Sequence, residues 1–231
     1  MTDKLVFLTG AGVSAESGLK TFRDMGGLWN EYAIEDVASP EAWRKNPATV
    51  LSFYNERRCA VLDAKPNAAH LAIAGLEQRF DVVVITQNID DLHERAGSTS
   101  VIHVHGEILK ARSTIDAGLF YRLQKSTIEL GDLCEQGSQL RPDVVWFGEN
   151  VRFMSECEEH LRSASRVVVV GTSLTVYPAA GLVQKAPFDA EKYLVSPEPQ
   201  KVPYGFRFLR GPASTVVPRI ATCWLEGRKP V

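Results

Sequence analysis

The chain has 231 residues, of which 45% are hydrophobic and 23% charged, with a net charge of -2 at neutral pH. That length suits one large α/β unit, alone or with an inserted module, and folding should bury about 70–75% of the unfolded surface. The near-neutral charge excludes bulk binding to nucleic acid or to an anionic membrane, no apolar run reaches the roughly 18 residues of a membrane span, and Cys59, Cys134, Cys157 and Cys223 stand singly, not at metal-ligand or disulfide-framework spacing. Leu5 to Leu8 is too short for the core of a signal peptide and leads into a glycine turn, so a cytoplasmic monomer is expected.

Lys4 to Thr9 reads as a first strand, running into Gly10-Ala11-Gly12-Val13-Ser14-Ala15. Glycines there let the backbone turn tightly and approach a phosphate, with the amides of a following helix facing the anion. A lone G-x-G-x-x-A match is weak. A dehydrogenase would continue with an apolar helix and a second strand ending in an acid about 20 residues on. This chain continues instead with a loop, Ser17 to Trp29, carrying Phe22, Arg23 and Gly26-Gly27. It is a surface connection or a ligand-covering lid, and its length and aromatic content favour the lid.

Pro40 to Asn46 and Ala48 to Ala64 read as helices, the second with Val50, Phe53, Tyr54 and Val61 at helical spacing and Arg57 and Arg58 between them. Tyr54 and Arg57, three apart, share a face, where a phenol and a guanidinium can grip a carboxylate. The plainer alternative is a core tyrosine with a solvated arginine. Pro66-Asn67 starts another helix through His70, read as a packing residue, and Leu76.

Val82 to Ile85 is a short β-branched run, read as a buried strand. Gln87-Asn88-Ile89-Asp90 then sits just past its carboxyl end, where open α/β sheets bind ligands. Gln87 and Asn88 both donate and accept, and Asp90 accepts. The set suits a ligand with hydroxyls and a carboxamide, or else an Asx-rich turn capping the next helix. Val101 to Gly106 alternates like a strand, with His103 and His105 on one face. A histidine before a strand-end glycine is a candidate general base; metal ligation or plain exposure are the alternatives for the pair.

Lys110 to Leu140 is the least regular part and reads as an insertion, closed by Arg141-Pro142-Asp143. Val144 to Glu149 reads as an apolar strand or extended segment, Met154 to Ser163 as a helix, and Arg166 to Val170 as a buried strand. Gly171-Thr172-Ser173 is a second small-residue turn whose amides and hydroxyls could meet phosphate or ribose. Lys192 to Val195 and Arg207 to Leu209 are weaker strands, and Pro218 to Leu225 a closing helix or edge.

In this order, Thr9 to Gly18, Phe22-Arg23, Thr86-Gln87-Asn88-Ile89-Asp90, His105-Gly106, Phe147-Gly148-Glu149 and Gly171-Thr172-Ser173 resemble the sirtuins, NAD-dependent protein-lysine deacylases, over nearly the whole length. The resemblance implies an α/β fold, a Rossmann-like parallel sheet with helices on both faces plus a small inserted module. A single catalytic unit would then comprise an NAD-binding domain of residues 1–24, 76–109 and 141–231, and a module of residues 25–75 and 110–140. It implies that Gly10, Ala11, Gly12, Ser14, Gly171, Thr172 and Ser173 hold the diphosphate and adjoining ribose. Phe22 and Arg23 would lie over NAD. Asn88, Ile89 and Asp90 would form the nicotinamide pocket, Gln87 would contact the nicotinamide ribose, and His105 would be the general base. In family terms the acyl oxygen attacks the ribose as nicotinamide leaves, and His105 then deprotonates a ribose hydroxyl that attacks the resulting imidate. The products are nicotinamide, lysine and O-acyl-ADP-ribose. Val145, Phe147, Gly148 and Glu149 would flank an acyl-lysine peptide bound as an added strand. Tyr54-Asn55-Glu56-Arg57 looks like the Tyr-x-x-Arg pair of sirtuins that remove succinyl and malonyl groups, with deacetylation alongside.

Two departures stand out. Sirtuins usually carry two cysteine pairs for a structural zinc, but Ala111 to Asp116 holds no cysteine, and Cys134 has Gly137 three places on. One thiolate cannot make a four-ligand site, so no structural zinc is expected. Val195-Ser196-Pro197 stands where many sirtuins have an asparagine on the adenosine ribose, and Ser196 would replace it only in part. The competing readings are a catalytically weak NAD-binding regulator and an ADP-ribosyltransferase; the first leaves His105 without a task, the second Tyr54 and Arg57. A dehydrogenase lacks its second-strand acid.

Overall fold

The structure, a computed structural model, describes residues 3–21, 28–29, 32–198 and 201–230. The chain begins with β1 (Lys4–Thr9) and two single-turn 3-10 segments, followed by a short hairpin of β2 (Leu28–Trp29) and β3 (Tyr32–Ala33). Three helices come next: α1 (Pro40–Lys45), α2 (Pro47–Asp63) and α3 (Ala68–Gly75). Their starts are written locally. Ser39, Asn46 and Asn67 accept backbone N–H groups of the first turn, and Pro40 and Pro47 occupy early positions whose N–H has no helical partner.

β4 (Asp81–Thr86), the four-residue α4 (Leu92–Arg95) and β5 (Val101–His103) lead into an antiparallel group, β6 (Gly106–Ser113), β7 (Phe120–Arg122) and β8 (Leu140–Val144). The chain closes with α5 (Met154–Arg162), β9 (Arg166–Val170), β10 (Glu191–Ser196), β11 (Arg207–Arg210) and α6 (Ala213–Leu225). The main sheet has six parallel strands in the order β11-β10-β9-β1-β4-β5. Alternation sorts its residues. Leu5, Phe7, Val82, Val84, Val168 and Val170 face α3 and α6. Val6, Leu8, Val83, Ile85, Val167 and Val169 face α5 and the 3-10 segment Ala179–Lys185. The chain passes from β1 outward through β4 to β5 and returns on the other side as β9, so the order reverses between β1 and β9, where ligands bind in such sheets.

Several elements depart from expectation. Val101 to Gly106 is not one strand: β5 stops at His103, and the chain turns through Val104-His105 into β6. Gly106 makes the turn with φ of 82°, and a Cβ there would lie 2.1 Å from the Asp143 carbonyl oxygen. Val144 to Glu149 is a strand only at Val144; Val145 and Trp146 lead into a turn closed by the Glu149 amide on the Trp146 carbonyl, with φ of 90° at Gly148. Arg141-Pro142-Asp143 does not end the insertion but lies within β8, where Pro142 is tolerated on an edge strand beside a register shift. The insertion thus carries a three-stranded sheet. The last helix begins at Ala213, before Pro218. No α-helix follows the first glycine turn; its amides belong to 3-10 turns, Ala11–Val13 and Ala15–Ser17. Among the described residues, no helix is long and apolar enough to cross a membrane.

Gly106→Ala should therefore destabilise the protein by at least about 2 kcal/mol, because a positive φ and a backbone clash coincide. For a chain this long that corresponds to a fall in Tm of roughly 4–8 °C. A thermal melt within about 1 °C of wild type would show that the turn relaxes freely.

Candidate functional site

The strand pairing Thr9 with Thr86 and with Val170 brings the ends of β1, β4 and β9 level. The polar segments that follow, Gly10 to Ser14, Gln87 to Asp90 and Gly171 to Ser173, therefore meet at one edge. A Cβ on Gly10 would come within 2.7 Å of Thr172 Cβ, one on Gly12 within 2.8 Å of Gly171 Cα, and one on Gly171 within 2.2 Å of the Val13 nitrogen. The two turns interlock backbone to backbone, with the Gly12 amide donating to the Gly171 carbonyl at 2.8 Å. They form one wall of a cavity of about 800 Å³.

Gly10, Ala11, Gly12, Ser14, Gln87, Asn88, Ile89, Asp90, His105, Gly171, Thr172, Ser173 and Ser196 all line this single cavity. So do Tyr54 and Arg57 of α2, and Val145, Phe147, Gly148 and Glu149 of the segment after β8. Phe22 and Arg23, expected on the lid, lie outside the described residues.

The two strand histidines separate. His103 is buried; its Nδ1 meets the Asn88 carbonyl at 3.0 Å and its Nε2 meets Glu94 Oε1 at 2.7 Å. Burial opposes its charge, but the hydrogen bond and charge of Glu94 outweigh this and raise its pKa above the ordinary histidine value. Both nitrogens are engaged, so His103 is a structural ion-pair partner. His105 Nδ1 lies 3.0 Å from the Gln87 carbonyl. A carbonyl only accepts, so Nδ1 carries the proton and Nε2 is left as the basic nitrogen. Burial lowers the His105 pKa against the opposing Gln87 hydrogen bond, keeping the ring neutral at physiological pH.

Around the Asn88 side chain is a directional network. The Asn67 amide donates to His70 Nδ1 at 3.2 Å, so His70 Nε2 is the donor toward Ser14 Oγ at 3.4 Å. Ser14 Oγ also accepts from Asn88 Nδ2 at 3.1 Å, and its own hydroxyl bonds Asp90. Burial raises the Asp90 pKa, while the Leu92 amide and Ser14 hydroxyl bonds hold it down. Burial, with Arg95 nearby, lowers His70 to about 4, so it stays a neutral relay. The sequence reading took His70 for packing only; Asn67-x-x-His70, an N-cap followed three places on by a side chain that reaches back, was the available signal.

On α2, Tyr54 is fully buried and burial raises its pKa, so it is a neutral donor. Burial lowers Arg57 to about 10, against the pull of Tyr54 and Asp90, and it remains cationic at neutral pH. Trp146, missed in the sequence reading, lines the cavity and tilts against Tyr54 and Trp43 with ring centroids 6.5 and 5.7 Å apart. Glu149 accepts from Arg112, from Arg141 and from the Trp146 amide, at 2.9, 2.7 and 2.8 Å. Its carboxylate thus shapes the turn that presents Trp146 and Phe147. Among the described residues no group of three or more His, Cys, Asp or Glu stands close enough to hold a metal ion.

A model of the Sir2 family matches residues 10–178. An NAD-dependent protein deacylase of Helicobacter pylori (strain J99) is 52% identical over 194 residues, spanning 84% of this chain and 82% of the relative. One of Trypanosoma brucei brucei is 47% identical over 236 residues, spanning 98% and 96%. Among solved structures, a Sir2 homologue in complex with NAD is 38% identical with a TM-score of 0.86, over 98% of this chain and 91% of that one. A Sir2 protein with a deacetylated p53 peptide and 3′-O-acetyl ADP-ribose is 30% identical with a TM-score of 0.80, over 98% and 94%. On sequence and on fold, this chain belongs to the Sir2 family, the sirtuins.

Proposed function

We propose that this sirtuin removes acidic acyl groups, of the succinyl and malonyl class, as well as acetyl groups, from lysine side chains of proteins. The chain is an NAD-dependent protein deacylase, and NAD is its co-substrate. The observation that carries the acidic preference is the presence of Arg57 and Tyr54, one helical turn apart, on the wall of the cavity that also holds His105, Asn88 and Asp90. The cationic guanidinium offers only donors and the neutral phenol beside it can add one more, which suits the distal carboxylate of such an acyl group.

The donor set fits NAD. The glycine turns with Ser14, Thr172 and Ser173 face a diphosphate and ribose, while Asn88 and Asp90 offer complementary partners to a carboxamide. Ile89 completes that pocket, and Ser196 stands at the adenosine end. When bound, NAD supplies the ribose that accepts the acyl group and nicotinamide as the leaving group. Gln87 Nε2, held 3.1 Å from Thr172 Oγ1, is set to meet a ribose hydroxyl. His105 Nε2 takes the proton from such a hydroxyl, because Nδ1 is committed to Gln87. Val145, with the turn at Phe147 and Gly148 beside it, would flank the substrate peptide. We read the enzyme as a cytoplasmic monomer.

The direct test is mass spectrometry of products from NAD with matched succinyl-lysine and acetyl-lysine peptides. O-succinyl-ADP-ribose is the expected product; ADP-ribosylated peptide without deacylation would replace the reading with a transferase. Arg57→Met should raise KM for the succinyl peptide about 10- to 100-fold, the equivalent of one charge-assisted hydrogen bond, with acetyl-lysine largely spared. Equal loss on both substrates would make Arg57 structural. His105→Ala should lower turnover at least about 100-fold in a folded protein. Because the His105 pKa is depressed, the neutral base persists to lower pH, so the acid limb of kcat/KM should fall below pH ~6.5. A limb at or above that value would assign it to another group.

A further inference from the structure

The fold family implies a zinc ion in the inserted module, and the residues standing there do not fit one. Cys134 Sγ lies 3.5 Å from the Ser113 hydroxyl, which itself accepts the amides of Ile115 and Asp116 at 3.2 Å. Thr114 bonds Ser138 hydroxyl to hydroxyl, and Asp116 Oδ1 takes the Gly118 amide at 2.8 Å. This is one thiol among neutral hydroxyls, whereas structural zinc needs four nitrogen or sulfur ligands.

What ties the module down is on α2. Leu51, Asn55 and Arg58 follow i, i+4, i+7 spacing and form one stripe of the helix. Leu51 packs with Ala111 and Ile128 of the module. Asn55 pairs with the Ile128 backbone in both directions, Nδ2 to the carbonyl at 3.0 Å and Oδ1 from the amide at 2.9 Å. Arg58 is fully buried; its Nε donates to the Ile108 carbonyl at 2.8 Å, and its Nη1 to Asn55 Oδ1 at 2.6 Å and to the Ser126 carbonyl at 3.2 Å. The two side chains bracket β6 and the segment from Ser126 to Ile128 onto the helix. Each is followed or preceded on the chain by a cavity residue: Tyr54 adjoins Asn55, and Arg57 adjoins Arg58. At about 100° per residue the helix thus carries a cavity stripe and an anchoring stripe side by side. Neither Asn55 nor Arg58 lines the cavity.

We propose that the Asn55–Arg58 bracket holds the inserted module in place of a metal and, through the shared helix, positions Tyr54 and Arg57 for the acyl carboxylate. The positioning half rests on the acyl reading above; the anchoring half does not. Its consequence is a specificity effect from residues that never touch the substrate.

The test compares wild type, Asn55→Ala, Asn55→Asp and Arg57→Met as full chains. Readouts are KM and kcat on succinyl- and acetyl-lysine peptides, zinc content, and hydrogen exchange over residues 113–140. Asn55→Ala should raise the succinyl KM about tenfold with acetyl kcat within about twofold, and should speed exchange in the module. Asn55→Asp keeps the oxygen that accepts from Arg58 and Ile128, and should recover most of both effects. The protein should purify without stoichiometric zinc, and a chelator should leave exchange unchanged. Wild-type exchange and succinyl KM in Asn55→Ala, while Arg57→Met has lost its succinyl preference, would overturn the proposal and leave the acyl reading standing. An unchanged succinyl KM in Arg57→Met would overturn the acyl reading and the positioning half with it, and exchange in Asn55→Ala would then decide the anchoring half alone. Stoichiometric zinc whose removal loosens residues 113–140 would return the anchoring to a metal.

Discussion

The carbonyl groups of Gln87, Asn88 and Ile89 leave the end of β4 one after another, and each is taken by a different part of the chain that follows. Gln87 accepts from His105, Asn88 from His103, and Ile89 from the Ile108 amide. These bonds set the tautomer of His105, fix the ring of His103 against Glu94, and dock the start of β6 onto the main sheet. The side chains of Gln87, Asn88 and Asp90 are left to face the cavity. One short segment therefore uses its backbone to orient His105 and turns its side chains to the cavity. A buried carbonyl left without a partner costs about 1–3 kcal/mol, so this arrangement resists rearrangement.

The same end of the sheet depends on backbone contact between the turns after β1 and β9. Gly10, Gly12 and Gly171 approach so closely that any Cβ would intrude on the opposite main chain. Their role is to bring two polar turns together as one wall of the cavity. Among the described residues directly after Gly10 there are only 3-10 turns, so an anion at this wall would meet turn amides and hydroxyls rather than a helix dipole.

Buried and half-buried charges knit α2, β6 and β8 together. Arg58 has no carboxylate partner among the described residues and rests on neutral oxygens. Arg141 and Arg112 share Glu149, and Arg141 also lies over the Trp146 ring. Burial raises the Glu149 pKa but the two arginines lower it more, so its contribution to stability is present at neutral pH and is lost as the carboxylate protonates in acid. Interior charges of this kind hold one geometry because every alternative strands them without partners.

Much was legible in the residues themselves. The apolar runs of β1, β4 and β9 declare buried parallel strands, since both faces must be apolar, and the polar segments at their ends declare where a ligand sits. Pro66-Asn67 marks a helix start because capping is local chemistry. The split at His103 was not legible: an alternating run looks the same whether it continues or turns, and only the contact of Gly106 with Asp143, far along the chain, decides it. The different fates of His103 and His105 depend likewise on which carbonyls and carboxylate lie opposite. Nor could spacing alone tell that Tyr54-Arg57 and Asn55-Arg58 face different partners, or that His70 serves Ser14. Periodicity and composition determined the strands, the caps and the order of the motifs. Packing between segments 18 to 56 residues apart decided which nitrogen is basic, which arginine faces the cavity and which is buried, because hydrogen-bond direction and burial exist only once those segments meet.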